Sequence, residues 1–276
     1  MKQKNIINVK LPFFPWMDSR LAKLPGTNKV ESESIFLNCD KFKEQLELRD
    51  SLVKAKANQV CIARPGTDKV LDEVLETILD SLKCQQNYEV NKHYVIRPDN
   101  VKIDLNDGSK VKIIARLIQE DILVHQLDPI DNLYKLTAGA LCFPSFWTLS
   151  QKMGMNLERI HKPVPEYTKD IAKRVDRLFL GLKVDQPIWR ANWTVKNNPI
   201  LFNPLLEDDT LPEPFTTEKE WWVRVERQTF NKLSESGAVI FGIHTFIVAP
   251  TSLNEEQLET LKDKIKEKSL IHHKQE

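Results

Sequence analysis

Glycine is scarce in this chain, with 8 in 276 residues, and none falls into a Gly-x-Gly-x-x-Gly or phosphate-loop arrangement. An internal dinucleotide or nucleotide cradle is therefore not expected, because such cradles need glycine wherever backbone closely approaches phosphate. Reducing equivalents, if the chemistry uses them, have to come from elsewhere. The four cysteines, Cys39, Cys61, Cys84 and Cys142, are scattered and form no Cys-x-x-Cys pair, which argues against a zinc site or a cysteine-ligated iron–sulfur cluster. They read as buried free thiols of a cytosolic protein. No apolar run approaches the roughly twenty residues that cross a bilayer. Behind the basic start, Asn8 and Lys10 interrupt any apolar stretch, so no secretory signal is expected and cytoplasm is the default compartment. An excess of one charge is also lacking: the net charge is +1, so neither nucleic acid nor membrane is an expected partner.

What remains is the profile of an ordinary globular protein, 41% hydrophobic and 29% charged, long enough to bury a core without staples. Its densest segment runs Leu141-Cys142-Phe143-Pro144-Ser145-Phe146-Trp147, then Lys152, Gly154, Leu157 and Ile160-His161-Lys162-Pro163-Val164-Pro165. Proline fixes its own φ and biases the preceding residue towards extended geometry, so the Pro163/Pro165 pair is expected to hold the chain after His161 away from helix. The spacing leaves two readings of His161: a half-buried ring satisfied by a backbone carbonyl, or an imidazole aimed at a ligand.

Along the chain, Leu11-Pro12-Phe13-Phe14-Pro15-Trp16 reads as an extended arm that lays aromatic rings on the body. A polar helix is expected from Ser32 to about Lys56, and a stronger one over Thr67 to Lys83, where Val70, Leu71, Val74, Leu75, Ile78, Leu79 and Leu82 recur at helical spacing. Strands are expected at Val111–Leu117, Asp121–His125 and Tyr134–Phe143, between turns such as Asn106-Asp107-Gly108 and Asp128-Pro129. Thr168 to Leu182 reads as amphipathic helix. Further strands are expected at Ile188–Val195, Trp221–Thr229 and Ala238–Val248, with a proline-rich connection over Asn203–Pro214. A last helix starts near Ser252, where Ser252-x-x-Glu255 makes a capping box, and ends in a frayed tail.

Period-two alternation assigns Trp189, Ala191 and Trp193 to one face of a strand and Arg190, Asn192 and Thr194 to the other. The same rule puts Arg224, Glu226 and Gln228 together, opposite Val223, Val225 and Arg227. Charged residues inside strands either face water, pair across the sheet or build a site, because burying them unpaired is costly. A shared concavity lined by Arg190, Asn192, Arg224, Glu226 and Gln228 could hold a carboxylate, a propionate or a small polar substrate. Which strands are neighbours is not legible at this stage. His93, His125 and His244 lack carboxylate or cysteine neighbours at ligand spacing and read as structural. Cys142 reads as a buried thiol. Ser145 has no Gly-x-Ser-x-Gly elbow around it, which disfavours a serine hydrolase.

The combination Cys142-Phe143-Pro144-Ser145, Trp147, Lys152, Gly154, Leu157, Ile160-His161 and Pro163-Val164-Pro165 is followed by Arg190, Asn192-Trp193, Arg224, Glu226-Arg227-Gln228-Thr229, Ser236-Gly237-Ala238 and Phe241. In order and spacing it resembles the family of haem-dependent oxidative N-demethylase alpha subunits. Gln119-Glu120-Asp121 and the helix around Glu73 look like that family's upstream pattern, so the resemblance extends from about Ser32 to Pro250. It implies an α+β fold: a PAS-like antiparallel sheet with flanking helices enclosing a haem b. It divides the chain into an N-terminal arm (1–31), a haem-binding domain (32–250) and a C-terminal helix and tail (251–276).

The implied activity is removal of a methyl group from a small methylated amine with O2 and external electrons, giving formaldehyde and the smaller amine. His161 is the implied axial ligand of the iron. Arg190 and Arg224 are candidates for haem propionates or bound oxygen, Asn192 and Gln228 line the cofactor, and Glu226 would seat a protonated amine, with Arg224 and Glu226 the catalytic candidates. Electrons would arrive from a separate reductase carrying flavin and an iron–sulfur centre, in a homo- or hetero-oligomer. His244 departs from the family pattern, standing where a basic residue such as arginine is expected, and is a second imidazole able to meet iron. The rival readings are a haem-binding PAS-like sensor without turnover and a cofactor-free interaction protein.

Overall fold

The computed structural model describes residues 3–21, 26–30, 35–162, 167–210 and 212–272, with side chains as far as residue 267. Among these residues, ten strands and seven helices follow in the order β1 (Asn28–Lys29), α1 (Phe42–Val60), β2 (Cys61–Ala63), α2 (Asp68–Lys83), β3 (Glu89–Val90), β4 (Tyr94–Ile96), β5 (Lys102–Asp104), α3 (Lys110–Leu117), β6 (Asp121–Asp128), β7 (Leu133–Ala140), α4 (Leu149–Lys152), α5 (Leu157–His161), α6 (Lys169–Gly181), β8 (Ile188–Lys196), β9 (Trp222–Lys232), β10 (Val239–Val248) and α7 (Glu255–His272). The fold is α+β. Seven strands make one antiparallel sheet in the order β1-β8-β9-β10-β6-β7-β2, and β3, β4 and β5 form a small second sheet.

Alternation along the long strands gives the main sheet two different faces. On one, Ile122, Val124, Ala138, Ala140 and Ile240 pack against the apolar stripes of α1, α2 and α3, including Leu52, Val74, Ile78 and Ile114. The same face continues over Trp193, Val225, Phe246 and Val248, where Leu11 and Trp16 of the arm and Leu261 of α7 close it. Trp16 meets Trp193 edge-on at 6.0 Å and donates its Nε1–H to the Gln257 carbonyl. The opposite face carries α4, α5 and α6: Leu157, Phe179 and Leu182 pack on Tyr134, Phe230 and Val239, and Leu149 packs on Leu123, Leu136 and Ile243.

Three sequence expectations need correction. Residues 110–117 are helix, not strand. Val111, Ile113, Ile114, Ala115 and Leu117 are all buried there, and the contacts that α3 makes with its neighbours outweigh the strand preference of its β-branched residues. The first helix begins at Phe42, ten residues after Ser32, and runs on to Val60. The last helix is capped reciprocally by Asn254 and Gln257 rather than by Ser252 and Glu255: Gln257 N–H donates to Asn254 Oδ1 at 2.9 Å and Asn254 N–H donates to Gln257 Oε1 at 3.0 Å. Ser252 instead closes a 3₁₀ turn over Pro250–Ser252. Pro163 and Pro165 lie outside the described residues, and His161 ends the single turn of α5.

Candidate functional site

β8 and β9 are neighbours, and their register opposes Arg190 to Gln228, Asn192 to Glu226 and Thr194 to Arg224. All five polar strand residues expected to share a face therefore do so. Thr245, opposite Glu226 on β10, joins the same face. Arg224 is almost fully buried, with its Nε–H 2.8 Å from Glu226 Oε1 and its Nη2 donating to the Phe143 carbonyl at 2.6 Å and to Thr245 Oγ1 at 3.2 Å. Gln228 Nε2 donates to the other Glu226 oxygen at 3.2 Å. Burial raises the carboxyl of Glu226, but the charge and hydrogen bond of Arg224 outweigh it and hold the group below the usual range. Asn192 and Thr194 are exposed and Arg190 is half-buried, so the patch is most open along β8.

Sequence reasoning missed the most unusual member. Lys196 continues the alternation of Arg190, Asn192 and Thr194, and that period was the available signal. Its Nζ donates to Ser145 Oγ at 2.5 Å and lies 3.8 Å from the centroid of the Phe146 ring. Phe146 is held at φ 63°, a left-handed conformation that is uncommon for a bulky residue and sets its ring beside the ammonium. Burial lowers the Lys196 pKa to about 7, and the Arg224 charge adds to the effect while Glu226 opposes it.

His161 stands over this face from α5. Its Nδ1 lies 2.9 Å from the Leu157 carbonyl oxygen, which can only accept, so Nδ1 carries the proton and a neutral ring keeps its lone pair on Nε2. The ring stacks on Tyr167, with centroids 4.2 Å apart and planes at 14°. Burial lowers the His161 pKa, with Lys152 and Arg190 contributing, against the carbonyl contact that raises it. Helix α5 is fixed by Asn156, whose side chain accepts from Arg159 N–H, and by Glu207, which binds both Lys152 and Arg159. His125 is buried on the same face, edge-on to Phe179 at 5.4 Å, with its pKa pushed down to about 3 by burial and by His161.

Several buried polar atoms on this side have no hydrogen-bond partner among the described residues: His125 Nδ1, Tyr167 Oη, Arg190 Nε and Arg224 Nη1. Buried polar groups are normally paired, so such a set signals a missing partner. From Arg190 to Lys196 and from Arg224 to Gln228, this face carries three basic groups and one carboxylate, Glu226. An anion with more than one acceptor oxygen would satisfy both conditions. His244 lies on the other face of the sheet, opposite Arg227 in register, and so is not part of this group.

Two surface clefts lie elsewhere. One of about 440 Å³ is lined by Phe13, Phe14, Asp18, Arg20 and Trp189 among others, and one of about 340 Å³ lies between Trp147, Phe202 and Leu206. Neither takes a wall from His161, Arg190, Asn192, Arg224, Glu226 or Gln228. No helix among the described residues is long and apolar enough to cross a membrane, and no group of three or more His, Cys, Asp or Glu forms a metal cage among them. The donor set instead fits a prosthetic group that brings its own iron and carboxylates: a neutral imidazole with Nδ1 on a backbone carbonyl, and unpaired Arg190 Nε and Arg224 Nη1 on the same side of the sheet. Residues 26–273 match the family described as haem-dependent oxidative N-demethylase, alpha subunit-like, and the chain belongs to that family.

Proposed function

We propose that this chain is the haem-binding subunit of an oxidative N-demethylase acting on a small methylated amine. Its PAS-like domain would span residues 32–250, with the arm (1–31) and the C-terminal helix (251–276) as additions. Family membership supports the activity. The observation that carries the site is the unpaired Arg190 Nε and Arg224 Nη1, on a face where three basic side chains meet one carboxylate, together with a histidine whose Nε2 lone pair is left free by its own helix.

In this reading His161 Nε2 would hold the iron of haem b, the unpaired nitrogens of Arg190 and Arg224 would take its propionates, and Asn192 and Gln228 would border it. Haem, when bound, supplies the oxidising chemistry that makes an N-methyl C–H bond breakable with O2 and external electrons. The chain's own residues bind and orient. Glu226, ionised and already aligned by Arg224 and Gln228, seats the ammonium of the amine. Phe241 and Ile243, next along the same face, offer an apolar border that excludes water. Lys196, near its midpoint at neutral pH, can take or return a proton through Ser145. Electrons come from a separate cytoplasmic reductase with flavin and an iron–sulfur centre.

The test is a visible spectrum of the purified protein after haem reconstitution, followed by a formaldehyde assay with dimethylamine and a reductase. A Soret band lost or shifted in His161→Ala, and formaldehyde release that Glu226→Gln reduces, are expected. No Soret band in the wild-type protein would end the haem reading. Haem binding without formaldehyde from any of several methylamines would end the enzymatic one.

A further inference from the structure

Across the sheet from Arg190 and Glu226, a thiol, an imidazole and a carboxylate meet that the demethylase reading leaves unused. Cys39 lies just before α1, and its sulfur accepts from Gln119 Nε2 at 3.0 Å, Asn8 Nδ2 at 3.3 Å and the Lys41 backbone N–H at 3.4 Å. A neutral thiol is a weak acceptor, so three donors converging on one sulfur make an environment for the anion. Gln119 is itself locked, because its Oε1 accepts the Cys39 N–H at 2.9 Å and its Nε2 also donates to Gln45 Oε1 at 2.8 Å.

His244 supplies the countercharge. The ring is fully buried in β10, its Nδ1 lies 3.0 Å from Glu120 Oε1, and its Nε2 makes no hydrogen bond of ordinary length among the described residues. Burial opposes a charge on this ring, but Glu120 and Cys39 outweigh it and hold the pKa at about 9. For Cys39, burial raises the thiol and His244 more than cancels that rise, leaving it below the ordinary value. Leu37 N–H fixes Glu120 Oε1 at 2.9 Å. Other charged groups near the cluster are Asp40, held by Asn8 and the Val9 N–H, Lys41 with its partner Glu44, and Arg227, which faces Glu120 from β9. The remaining cysteines differ: burial pushes Cys142 up and Cys61 to about 11, and Cys84 is an exposed thiol.

We propose that Cys39, His244, Glu120 and Gln119 form a second chemical site, in which a thiolate nucleophile reacts with small peroxides. Cys39 is half-buried and its sulfur is crowded by three donors, so the electrophile it admits is small. Thiolate attack on one oxygen of hydrogen peroxide forms the S–O bond and breaks the O–O bond. The departing hydroxide takes the proton of His244 Nε2 and leaves as water. Sulfur is oxidised by two electrons, peroxide is reduced, and the product is a sulfenic acid at Cys39 whose oxygen Gln119 Nε2 can hold. Nothing in this step needs haem, so it stands or falls separately from the demethylase reading.

The test uses the full chain without haem. Hydrogen peroxide is added in the presence of a cyclic 1,3-dione that traps sulfenic acid, and labelled peptides are counted by mass spectrometry. Cys39 is expected to label ahead of Cys84 at pH 7. Iodoacetamide alkylation of Cys39 is expected to reach half its maximal rate below the usual thiol pKa of about 8.5. Glu120→Gln, which keeps the shape of the side chain, is expected to slow that alkylation about tenfold at pH 7 by withdrawing the charge that holds the imidazolium. Faster labelling of Cys84 than of Cys39 in the wild-type protein would overturn the proposal whatever the variants do. So would an unchanged Cys39 pH profile in folded Glu120→Gln.

Discussion

Lys196 and Ser145, 51 residues apart in sequence, are joined by a hydrogen bond of 2.5 Å from the buried ammonium to the hydroxyl. Lys196 is 7% exposed, and its folded pKa of about 7 lies well under the ordinary 10.5, so the folded chain releases its proton first. Between those two values the unfolded chain binds more protons, and stability rises with pH. Chemical denaturation of the haem-free protein is expected to show this gain, on the order of a few kcal/mol, and Lys196→Met is expected to remove it. A stability curve with the same slope in Lys196→Met would refute the assignment.

His244 acts with the opposite sign. Its folded pKa of about 9 lies above the ordinary 6.5, so its stabilisation is complete below 6.5 and is lost as pH rises through 9. In the window from pH 7 to 9 the two groups offset each other. His244→Phe should therefore steepen the rise with pH that Lys196→Met flattens, a contrast read from denaturation midpoints at pH 7 and 9.

Arg190 bears on the proposed propionate contact. A hydrogen bond to a charged partner contributes about 1.5–3 kcal/mol. Arg190→Gln is expected to weaken haem affinity tenfold or more, measured by titrating the apoprotein with haemin and following the Soret band. Equal affinity would remove Arg190 from the propionate role.

Arg49 and Asp121 hold the chain entering β6. Both side chains are at most 1% exposed, their contact is 2.7 Å, and Asp121 also accepts the Cys142 and Phe143 N–H groups. Arg49 further donates to the carbonyls of Ala115, Gln119 and Glu120. Arg49→Met strands a buried carboxylate and is expected to cost about 3–5 kcal/mol in urea unfolding.

Gly139 lets α4 lie on β7. A Cβ there would stand 2.9 Å from both Leu123 Cδ2 and Leu149 Cδ1. Gly139→Ala is expected to destabilise by about 1–3 kcal/mol through overpacking. A thermal melt checks it.

The polar faces of β8 and β9 were legible because strand alternation is a local rule, and Arg190, Asn192, Arg224, Glu226 and Gln228 obey it without tertiary information. Lys196 obeys it too, but its depressed pKa depends on Ser145, Phe146 and Arg224, which only folding brings near. His244 read as lacking a carboxylate or cysteine at ligand spacing, yet Glu120 and Cys39 reach it from elements 124 and 205 residues earlier in the sequence. The helix at Lys110–Leu117 misled because Val111 and Ile113 alternate with lysines, whereas its burial is decided by the helices and strands around it. In each case the missing information was a partner distant in sequence.

The ten-residue ladder between β9 and β10 keeps Thr245 with Glu226 on one side of the sheet and His244 with Arg227 on the other. Side chains alternate strictly, so a one-residue slip of β10 would exchange the two sides. His244 would leave Glu120 and Cys39 for the cationic patch, and Thr245 would leave Arg224. A single residue inserted within β10 thus threatens two separate chemistries at once.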